Sequence, residues 1–123
     1  EVEVEPNIIL LGDFNEDPDD KNVLLLESAG LTNLMTAMVD KEDISTYIYR
    51  GTNYLYDQII VSNSILDEKG FTLADSSAYI LDLPKYRQQK GKYKKYPFRF
   101  WAGNKLLGGY SDHLAVKVDF VIK

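Results

Sequence analysis

Residues 54–61 read Tyr54-Leu55-Tyr56-Asp57-Gln58-Ile59-Ile60-Val61. This stretch and the preceding segment, Thr46 to Tyr49, are both rich in aromatic and β-branched side chains. The residues between them, 50–53, have the composition of a turn. The pattern predicts two β-segments joined as a hairpin. Hairpin connections pair strands antiparallel, so we expect a mostly antiparallel sheet.

Asp57 is unusual in this stretch. In a continuous strand its side chain would share a face with Leu55, Ile59 and Val61, three large aliphatic residues. Burial of an unpaired carboxylate is costly, so we expect either a cationic or hydrogen-bonding partner or a register shifted by one residue. The alternative is an aspartate at a strand end that reaches solvent.

Other segments extend the predicted sheet. The apolar run Asn7 to Leu11, stopped by Gly12, predicts a strand buried on both faces. Residues 114–120 alternate apolar and polar side chains and predict a strand with one buried face, while residues 71–81 are a weaker strand candidate. Residues 31–38 are apolar without a period, and their structure stays open.

One helix is predicted from Pro18 to Ala29. Asp17 is a suitable N-cap, Pro18 suits the first helical position, and Gly30 ends the apolar pattern. Strands outnumber helices and the connections are hairpins. The predicted fold class is therefore α+β, a mostly antiparallel β-sheet with one or two helices on one face.

Composition places the chain among soluble globular domains. It has 123 residues, of which 45% are hydrophobic and 27% charged. No stretch approaches the roughly 20 consecutive apolar residues of a membrane span. The sequence contains no cysteine, which excludes disulfides and thiolate metal sites but leaves the cellular compartment open.

Charge is segregated along the chain. Residues 1–82 hold 17 acidic and 4 basic side chains, residues 83–111 hold 8 basic side chains and no acidic one, and residues 112–123 balance. The acidic part suits metal binding or simple solubility. The basic part could contact phosphates even on an acidic protein, because charge interactions are screened over roughly 10 Å.

The segment Gly108-Gly109-Tyr110-Ser111-Asp112-His113 contains the only histidine of the chain. We expect its two glycines to loosen the backbone before the final strand. An imidazole is suited to taking a proton from water near neutral pH, although a lone histidine can also be structural. Asp57 could orient this imidazole by accepting its second N–H, which would give the acid a partner.

A third polar cluster, Gly12-Asp13-Phe14-Asn15, follows the first apolar run. The spacing of Asp13, Asn15 and Asp17 fits the start of an EF-hand loop, but Pro18 and Leu24 stand where that loop requires glycine and glutamate. The acids after Asn15 (Asp17, Asp19 and Asp20) are better explained by a helix N-terminus, which favours negative charge. Asp13 and Asn15 cap nothing obvious and remain candidates for chemistry.

Three motifs, taken together, resemble one family. In order they are Gly12-Asp13-Phe14-Asn15, Tyr56-Asp57-Gln58-Ile59-Ile60-Val61-Ser62 and Ser111-Asp112-His113-Leu114. They are similar to the three C-terminal motifs of the endonuclease/exonuclease/phosphatase superfamily, also called deoxyribonuclease-I-like, over about residues 7–121. The resemblance implies that residues 1–123 are the C-terminal part of one such domain, half of a four-layer α/β/β/α sandwich. It also implies a metal-dependent phosphoester hydrolase of the phosphodiesterase or nuclease type, with magnesium, or alternatively manganese, as its cation.

The resemblance also implies a role for each site residue. Asp13 would lie near the attacking water or the leaving group and near the metal, and Asp112 would contribute to metal binding. Asn15 would donate a hydrogen bond to a phosphate oxygen. Asp57 would orient His113, which would contact the scissile phosphate and is often assigned as the base. Such a site needs a cation, hydrogen-bond donors and a positioned water, because attack on phosphate concentrates negative charge on its oxygens.

The chain departs from the family pattern in two ways. Ala115 stands where most relatives have proline, which we expect to change only backbone stiffness. The family's N-terminal half supplies an asparagine, a metal-binding glutamate and the second sheet, and none of these can be assigned before Asn7. We therefore expect this chain alone to be a weak or inactive enzyme whose exposed sheet face binds that half or a second copy. The alternative is a non-catalytic interaction module that keeps the family fold.

The basic part of the chain interleaves cations with aromatic residues. The cations are Lys85, Arg87, Lys90, Lys92, Lys94, Lys95 and Arg99, and the aromatic residues are Tyr86, Tyr93, Tyr96, Phe98 and Trp101. This composition is typical of a nucleic-acid groove with stacking platforms, and it makes Lys92, Lys94 and Arg99 candidate substrate-binding residues. The alternative is a solvated, mobile loop anchored by a few aromatics. The substrate stays open among DNA, RNA, a lipid, an inositol phosphate and a nucleotide diester.

Overall fold

The structure is a computed structural model that describes residues 5–75 and 78–123. Within these ranges the chain forms one α-helix, α1, at Lys21–Ser28, and three short 3-10 helices at Thr36–Met38, Asn63–Ile65 and Pro84–Tyr86. The strands are β1 Ile9–Asp13, β2 Leu31–Asn33, β3 Tyr47–Tyr49, β4 Thr52–Tyr54, β5 Asp57–Ser62, β6 Phe71–Leu73, β7 Tyr79–Ile80, β8 Trp101–Ala102, β9 Lys105–Leu106, β10 Val116–Lys117 and β11 Phe120–Ile122. The strand pairs are antiparallel, so the α+β prediction is confirmed. That this fold is half of a four-layer sandwich stays a prediction.

The largest sheet has three strands in the order β1-β5-β2, with β5 in the centre. Its register pairs Ile9 with Val61 at one end and Asp13 with Asp57 at the other. Residues 58–62 of β5 are buried. β5 is paired on both edges and covered on both faces. Its first residue, Asp57, is therefore held in a fixed position.

The core lies against one face of β5. Ile59 and Val61 are fully buried together with Met35 and Ile65. Partly buried side chains from the smaller sheets β10-β7 and β11-β6 pack against this cluster. Burial of this apolar surface is the main favourable contribution to folding.

Gln58 is a buried polar residue on β5, and its hydrogen bonds are satisfied. Its amide donates to the carbonyls of Glu16, at 2.8 Å, and Leu55. Its oxygen accepts a hydrogen bond from the side chain of Asn33 at 3.0 Å. These bonds tie the loop after β1, the segment before β5 and β2 to the central strand.

The expectation that the first apolar run is buried on both faces is wrong. Ile9 is 39% exposed and Leu11 61% exposed, and Ile8 is exposed as well. β1 is an outer strand, and the buried cluster covers Ile59 and Val61 of β5 without extending to the residues of β1 that pair with them. An apolar run shows that a strand is present but not whether it lies at the centre or at the edge of a sheet.

The hairpin is present but shorter than predicted. β3 pairs with β4 around a two-residue turn, Arg50 and Gly51. Their φ angles are 47° and 84°, and positive φ at both central residues gives a turn whose twist matches that of the two strands. The prediction of one strand over residues 54–61 is wrong. The strand breaks after Tyr54 because the Leu55 N–H is bonded to the Asp17 carboxylate instead of to a neighbouring strand, and β5 then pairs with β1 and β2.

Three other predicted elements need adjustment. The predicted strand at residues 114–120 keeps its alternating burial but divides into β10, paired with β7, and β11, paired with β6. The weaker candidate at 71–81 divides into β6 and β7, with residues 76 and 77 outside the described ranges. The helix predicted from Pro18 begins at Lys21, because the Asp17 carboxylate binds Leu55 instead of capping the helix.

Residues 84–99, here called the basic loop, fold back on themselves. The Gln88 N–H donates to the Tyr96 carbonyl, and the Lys95 N–H donates to the Gln88 carbonyl, both at 2.8 Å. The Phe98 N–H donates to the Tyr86 carbonyl at 2.7 Å. The Tyr96 hydroxyl accepts a hydrogen bond from the Gly51 N–H at 2.7 Å, which attaches the loop to the turn between β3 and β4. The basic loop is therefore anchored at several points.

Gly109 joins the basic loop to the segment that leads to His113. The Tyr110 N–H donates to the Phe98 carbonyl at 2.6 Å, and a Cβ atom built on Gly109 would lie 2.1 Å from that oxygen. The expectation that this glycine loosens the backbone is therefore wrong. It allows two backbone segments to approach more closely than any other residue would permit.

None of the helices in residues 5–75 and 78–123 has the length and apolar character that crossing a membrane requires.

Replacement of Gly109 by alanine should destabilise the protein. The added methyl group meets the Phe98 backbone, which cannot rotate away as a side chain could, so we expect the free energy of unfolding to fall by about 1–3 kcal/mol. Urea denaturation measures this change. The matched control is Gly103→Asn, because Gly103 has a φ of +58° with open space around it and asparagine tolerates this conformation. Equal stability of the two variants would contradict the close approach.

Candidate active site

The centre of the candidate site is a hydrogen bond between Asp57 and His113. The distance from His113 Nδ1 to Asp57 Oδ2 is 2.7 Å, and the side chains are 21% and 15% exposed, respectively. Asp57 begins β5, and His113 precedes β10, so the bond joins two distant parts of the chain. The contact expected from the sequence is present, while the catalytic roles of the two residues stay a prediction.

The geometry fixes which ring nitrogen of a neutral His113 carries the proton. A carboxylate can only accept, so Nδ1 must be the donor to Asp57. Nε2 is then left with its lone pair free to accept a proton. This is the arrangement that a general base needs.

The backbone around His113 holds the ring in place. The Leu114 N–H donates to the Thr46 carbonyl at 2.8 Å, and the His113 N–H donates to the Ser111 hydroxyl at 3.0 Å. Thr46 also supports the partner, because its hydroxyl accepts a hydrogen bond from the Asp57 N–H at 3.2 Å. Thr46 therefore contacts both sides of the Asp57–His113 pair.

Tyr47 supports the imidazole from its face. Its ring centroid lies 4.7 Å from that of His113 at an angle of 23°, and Tyr56 stacks on Tyr47 at 5.6 Å. Tyr47 was not among the site residues predicted from the sequence. Its only sequence signal was a place on a predicted strand, which does not indicate that the ring contacts a histidine more than sixty positions away.

Asp13 faces the other nitrogen of His113. Its Oδ2 lies 3.8 Å from Nε2, too far for a direct hydrogen bond, and its side chain is 40% exposed. The position follows from the register of β1 on β5, which places Asp13 directly opposite Asp57. Asp13, Asp57 and His113 are thus brought together, with Asp13 on the solvent side.

Asn15 is held close to Asp13 through its backbone. Its N–H donates to Asp13 Oδ1 at 2.8 Å, and its φ of 51° is one that asparagine tolerates better than most residues. The Asn15 residue is exposed. Asn15 is therefore near the site with an accessible amide, as a phosphate donor would have to be.

Asp112 directly precedes His113 but is not bonded to the three residues of this cluster. It is exposed, and among the described residues its side chain makes no hydrogen bond or ion pair. Residues 5–75 and 78–123 contain no group of three or more His, Cys, Asp or Glu side chains arranged to hold a metal ion. Magnesium prefers an octahedron of oxygens and usually keeps several waters, so Asp13 and Asp112 would leave most of that shell to water, substrate or other ligands.

The predicted substrate-binding cations lie outside the cluster around His113. Lys92 and Lys94 are exposed and Arg99 is half-buried, and the Lys92 ammonium lies 5.5 Å from the Tyr93 ring centroid. A different set of cations, Lys85, Arg87 and Lys90, contributes to a pocket of about 310 Å³ in the basic loop. The role of Lys92, Lys94 and Arg99 stays a prediction.

Asp17 is a structural acid beside the site rather than a member of it. Its carboxylate accepts the Leu55 N–H, which ends β4 and sets the start of β5. Burial raises the pKa of Asp17 above its ordinary value of 3.8, the Leu55 hydrogen bond opposes this, and the nearby acids Asp20 and Asp19 add to it.

The sequence matches the model of a family described as Endonuclease/Exonuclease/phosphatase family over residues 1–122. No curated protein and no solved structure matches the chain. The matched range includes all three residues of the central cluster, Asp13, Asp57 and His113.

The state of His113 can be observed directly, because it is the only histidine of the chain. At a pH where the imidazole is neutral, ¹⁵N NMR should show the proton on Nδ1. Asp57→Ala should abolish this preference by removing the acceptor. The control Asp112→Ala, next to His113 but without a bond to it, should leave the tautomer unchanged. A proton on Nε2 in the unchanged protein would contradict the arrangement.

Asp17 gives a prediction about stability and pH. Because its pKa is raised in the folded protein, the charged form disfavours folding at neutral pH, and this cost disappears as the pH falls through the folded pKa towards 3.8. Asp17→Asn keeps an acceptor for Leu55 without the charge, so it should be at least as stable as the unchanged protein at pH 7. Its advantage should shrink towards pH 4.

Two variants complete this test. Asp17→Ala removes both the charge and the acceptor of the Leu55 N–H, so it should be about 1 kcal/mol less stable than Asp17→Asn at either pH. Asp19→Asn, a neighbouring exposed acid, should change stability little. Urea denaturation at pH 7 and at pH 4 measures the free energy of unfolding of all three variants. A lower stability of Asp17→Asn than of Asp17→Ala at pH 7 would contradict the account.

Proposed function

Since the chain belongs to the endonuclease/exonuclease/phosphatase family, we propose that Asp13, Asp57 and His113 act in the hydrolysis of a phosphoester by water. The observation that carries the proposal is the Asp57–His113 hydrogen bond, which leaves the Nε2 lone pair facing Asp13. An acid-oriented histidine with an accessible nitrogen is suited to general acid–base chemistry.

The gap between His113 and Asp13 supports a role in holding water. Two atoms that are 3.8 Å apart can both lie within about 2.8 Å of a third, so one water could bond to Nε2 and Oδ2 together. His113 would take its proton as the oxygen attacks phosphorus and the ester P–O bond breaks, and the departing ester oxygen would take a proton from solvent. Asp57 would then stabilise the imidazolium that forms, as a carboxylate does in other acid–histidine pairs.

Asn15 is proposed to bind the phosphate. Attack places additional negative charge on the phosphate oxygens, and an amide N–H can stabilise that charge without a change of protonation. The bond from its backbone to Asp13 keeps the accessible side chain beside the proposed water.

A divalent cation, magnesium or manganese, is proposed as the cofactor on the basis of the family. Such an ion neutralises charge on the phosphate oxygens when it is bound. Asp13 and Asp112 are the proposed ligands, but the described residues do not complete its shell, so no step of the reaction is assigned to the ion.

The second candidate function is a non-catalytic interaction module. The exposed aliphatic side chains of β1 favour it, because exposed apolar patches often mark surfaces that bind another protein. Partners for this face, either an N-terminal half of the fold or a second copy of the chain, remain proposals.

An activity assay distinguishes the two functions. With magnesium or manganese, the protein should cleave plasmid DNA or bis(4-nitrophenyl) phosphate slowly, because its two proposed metal ligands leave the cation's shell incomplete, and EDTA should stop the reaction. His113→Ala should lower kcat by about 10²–10⁴-fold, the usual contribution of a general acid–base group. Asp119→Ala is the control, because Asp119 pairs only with Lys117 on the surface among the described side chains. Activity that survives His113→Ala would contradict the proposed site, and no activity under any condition would favour the interaction module.

A further inference from the structure

A pocket opens beside His113, and no step described above uses it. Its volume is about 200 Å³, and it is lined by Leu81, Tyr86, Tyr110, Ser111, His113, Leu114 and Ala115. Because His113 forms part of its wall, a group held in the pocket would lie next to a phosphate bound at the proposed site. The pocket is therefore placed to bind the substituent that the phosphate carries.

The lining is mostly apolar. Leu81, Leu114 and Ala115 contribute aliphatic surface, and Tyr86 and Tyr110 contribute aromatic rings. The volume is below the roughly 300–1,000 Å³ of pockets that hold drug-sized ligands. A pocket of this volume suits a small group such as a single ring system.

The two tyrosine rings favour a planar ligand. Their centroids are 5.2 Å apart and their planes meet at 87°. A flat group stacked on one ring therefore presents its edge to the other, and both contacts are favourable between aromatic systems. Nucleobases have such flat faces and stack on aromatic side chains in single-stranded nucleic-acid sites.

Ser111 provides a polar contact at the edge of the pocket. Its oxygen accepts the His113 N–H, which leaves the hydroxyl proton free to be donated. A ring nitrogen or carbonyl oxygen of a base, or a sugar oxygen, could accept it.

Positive charge lies behind the aromatic wall. The Lys85 ammonium lies 5.0 Å from the Tyr86 ring centroid, and Lys85 also lines the pocket of the basic loop. Arg87 in that loop is occupied by two bonds to Asp82, at 2.5 and 2.9 Å. In the pocket of the basic loop, Lys85 and Lys90 are therefore the cations that can attract an anionic ligand or the next phosphates of a nucleic-acid strand.

We propose that the pocket beside His113 is a nucleobase subsite, so that the phosphoester taken at the proposed active site is that of a nucleotide or of a single nucleic-acid strand. This inference rests on the proposed function, because it needs the phosphate to bind at His113. Tyr86 and Tyr110 form the stacking walls, and Ser111 donates to the base or sugar.

Binding can be followed through the imidazole signals of His113, the only histidine of the chain, so the test does not depend on turnover. The probes are adenosine 5′-monophosphate, ribose 5-phosphate, hexyl phosphate and inorganic phosphate, each titrated with and without magnesium. All four should shift the signals. Adenosine 5′-monophosphate should bind about tenfold more tightly than ribose 5-phosphate, because only it carries a base to stack.

Variants locate the base. Tyr110→Ala should reduce the affinity for adenosine 5′-monophosphate to that for ribose 5-phosphate, whereas Tyr110→Phe should keep most of the difference. Tyr110 is 63% exposed, so its truncation should not prevent folding. Tyr93→Ala is the control, because Tyr93 is an exposed tyrosine of the basic loop that does not line the pocket.

The outcomes separate this inference from the proposed function. Equal affinities for adenosine 5′-monophosphate and ribose 5-phosphate, or no effect of Tyr110→Ala, would overturn the subsite and leave the phosphate site standing. Hexyl phosphate binding as tightly as adenosine 5′-monophosphate would show a general apolar pocket and would also overturn it. If none of the four probes shifts His113, the proposed function fails together with the inference.

Discussion

The hydrogen bond between Asp57 and His113 is the interaction on which the rest of the site depends. It connects residues 56 positions apart in the sequence, one at the start of the central strand and one before β10. Asp57 lies just after the interruption between β4 and β5 and precedes a buried run, so its carboxylate needs a partner. His113 supplies that partner, and the same bond sets the proton of the imidazole and the direction of its free nitrogen.

The surrounding elements can be understood as supports for this bond. Thr46 contacts both partners, Tyr47 stacks on the imidazole, and the register of β1 brings Asp13 to the open side. The basic loop is attached to the same region through the Tyr96–Gly51 hydrogen bond and through the close approach at Gly109. The loop therefore forms a wall beside the histidine, which is why a nucleobase subsite follows from the same architecture.

The fold class and the central pair could be predicted from the sequence for physical reasons. Turn composition between β-rich segments indicates a hairpin, and an acid placed among aliphatic residues indicates a missing partner. The limits of the strands could not be predicted, because they depend on contacts between distant residues. The Asp17–Leu55 bond breaks the strand predicted for 54–61, and the place of β1 in the sheet leaves Leu11 exposed. The contact of Tyr47 with His113 and the anchoring of the basic loop also depend on distant residues, so they could not be predicted either. The metal ligand role of Asp112 stays a prediction, because this residue is exposed and makes no bond that indicates such a role.

The most direct test is a double-mutant cycle on Asp57 and His113, with the free energy of unfolding measured by urea denaturation near pH 7. The variants are Asp57→Ala, His113→Ala and the double replacement. If the bond holds the site together, the double replacement should cost less than the sum of the single ones, with a coupling of at least about 1 kcal/mol. Additive costs, equal to within about 0.3–0.5 kcal/mol, would show that the two side chains fold independently and would contradict the account.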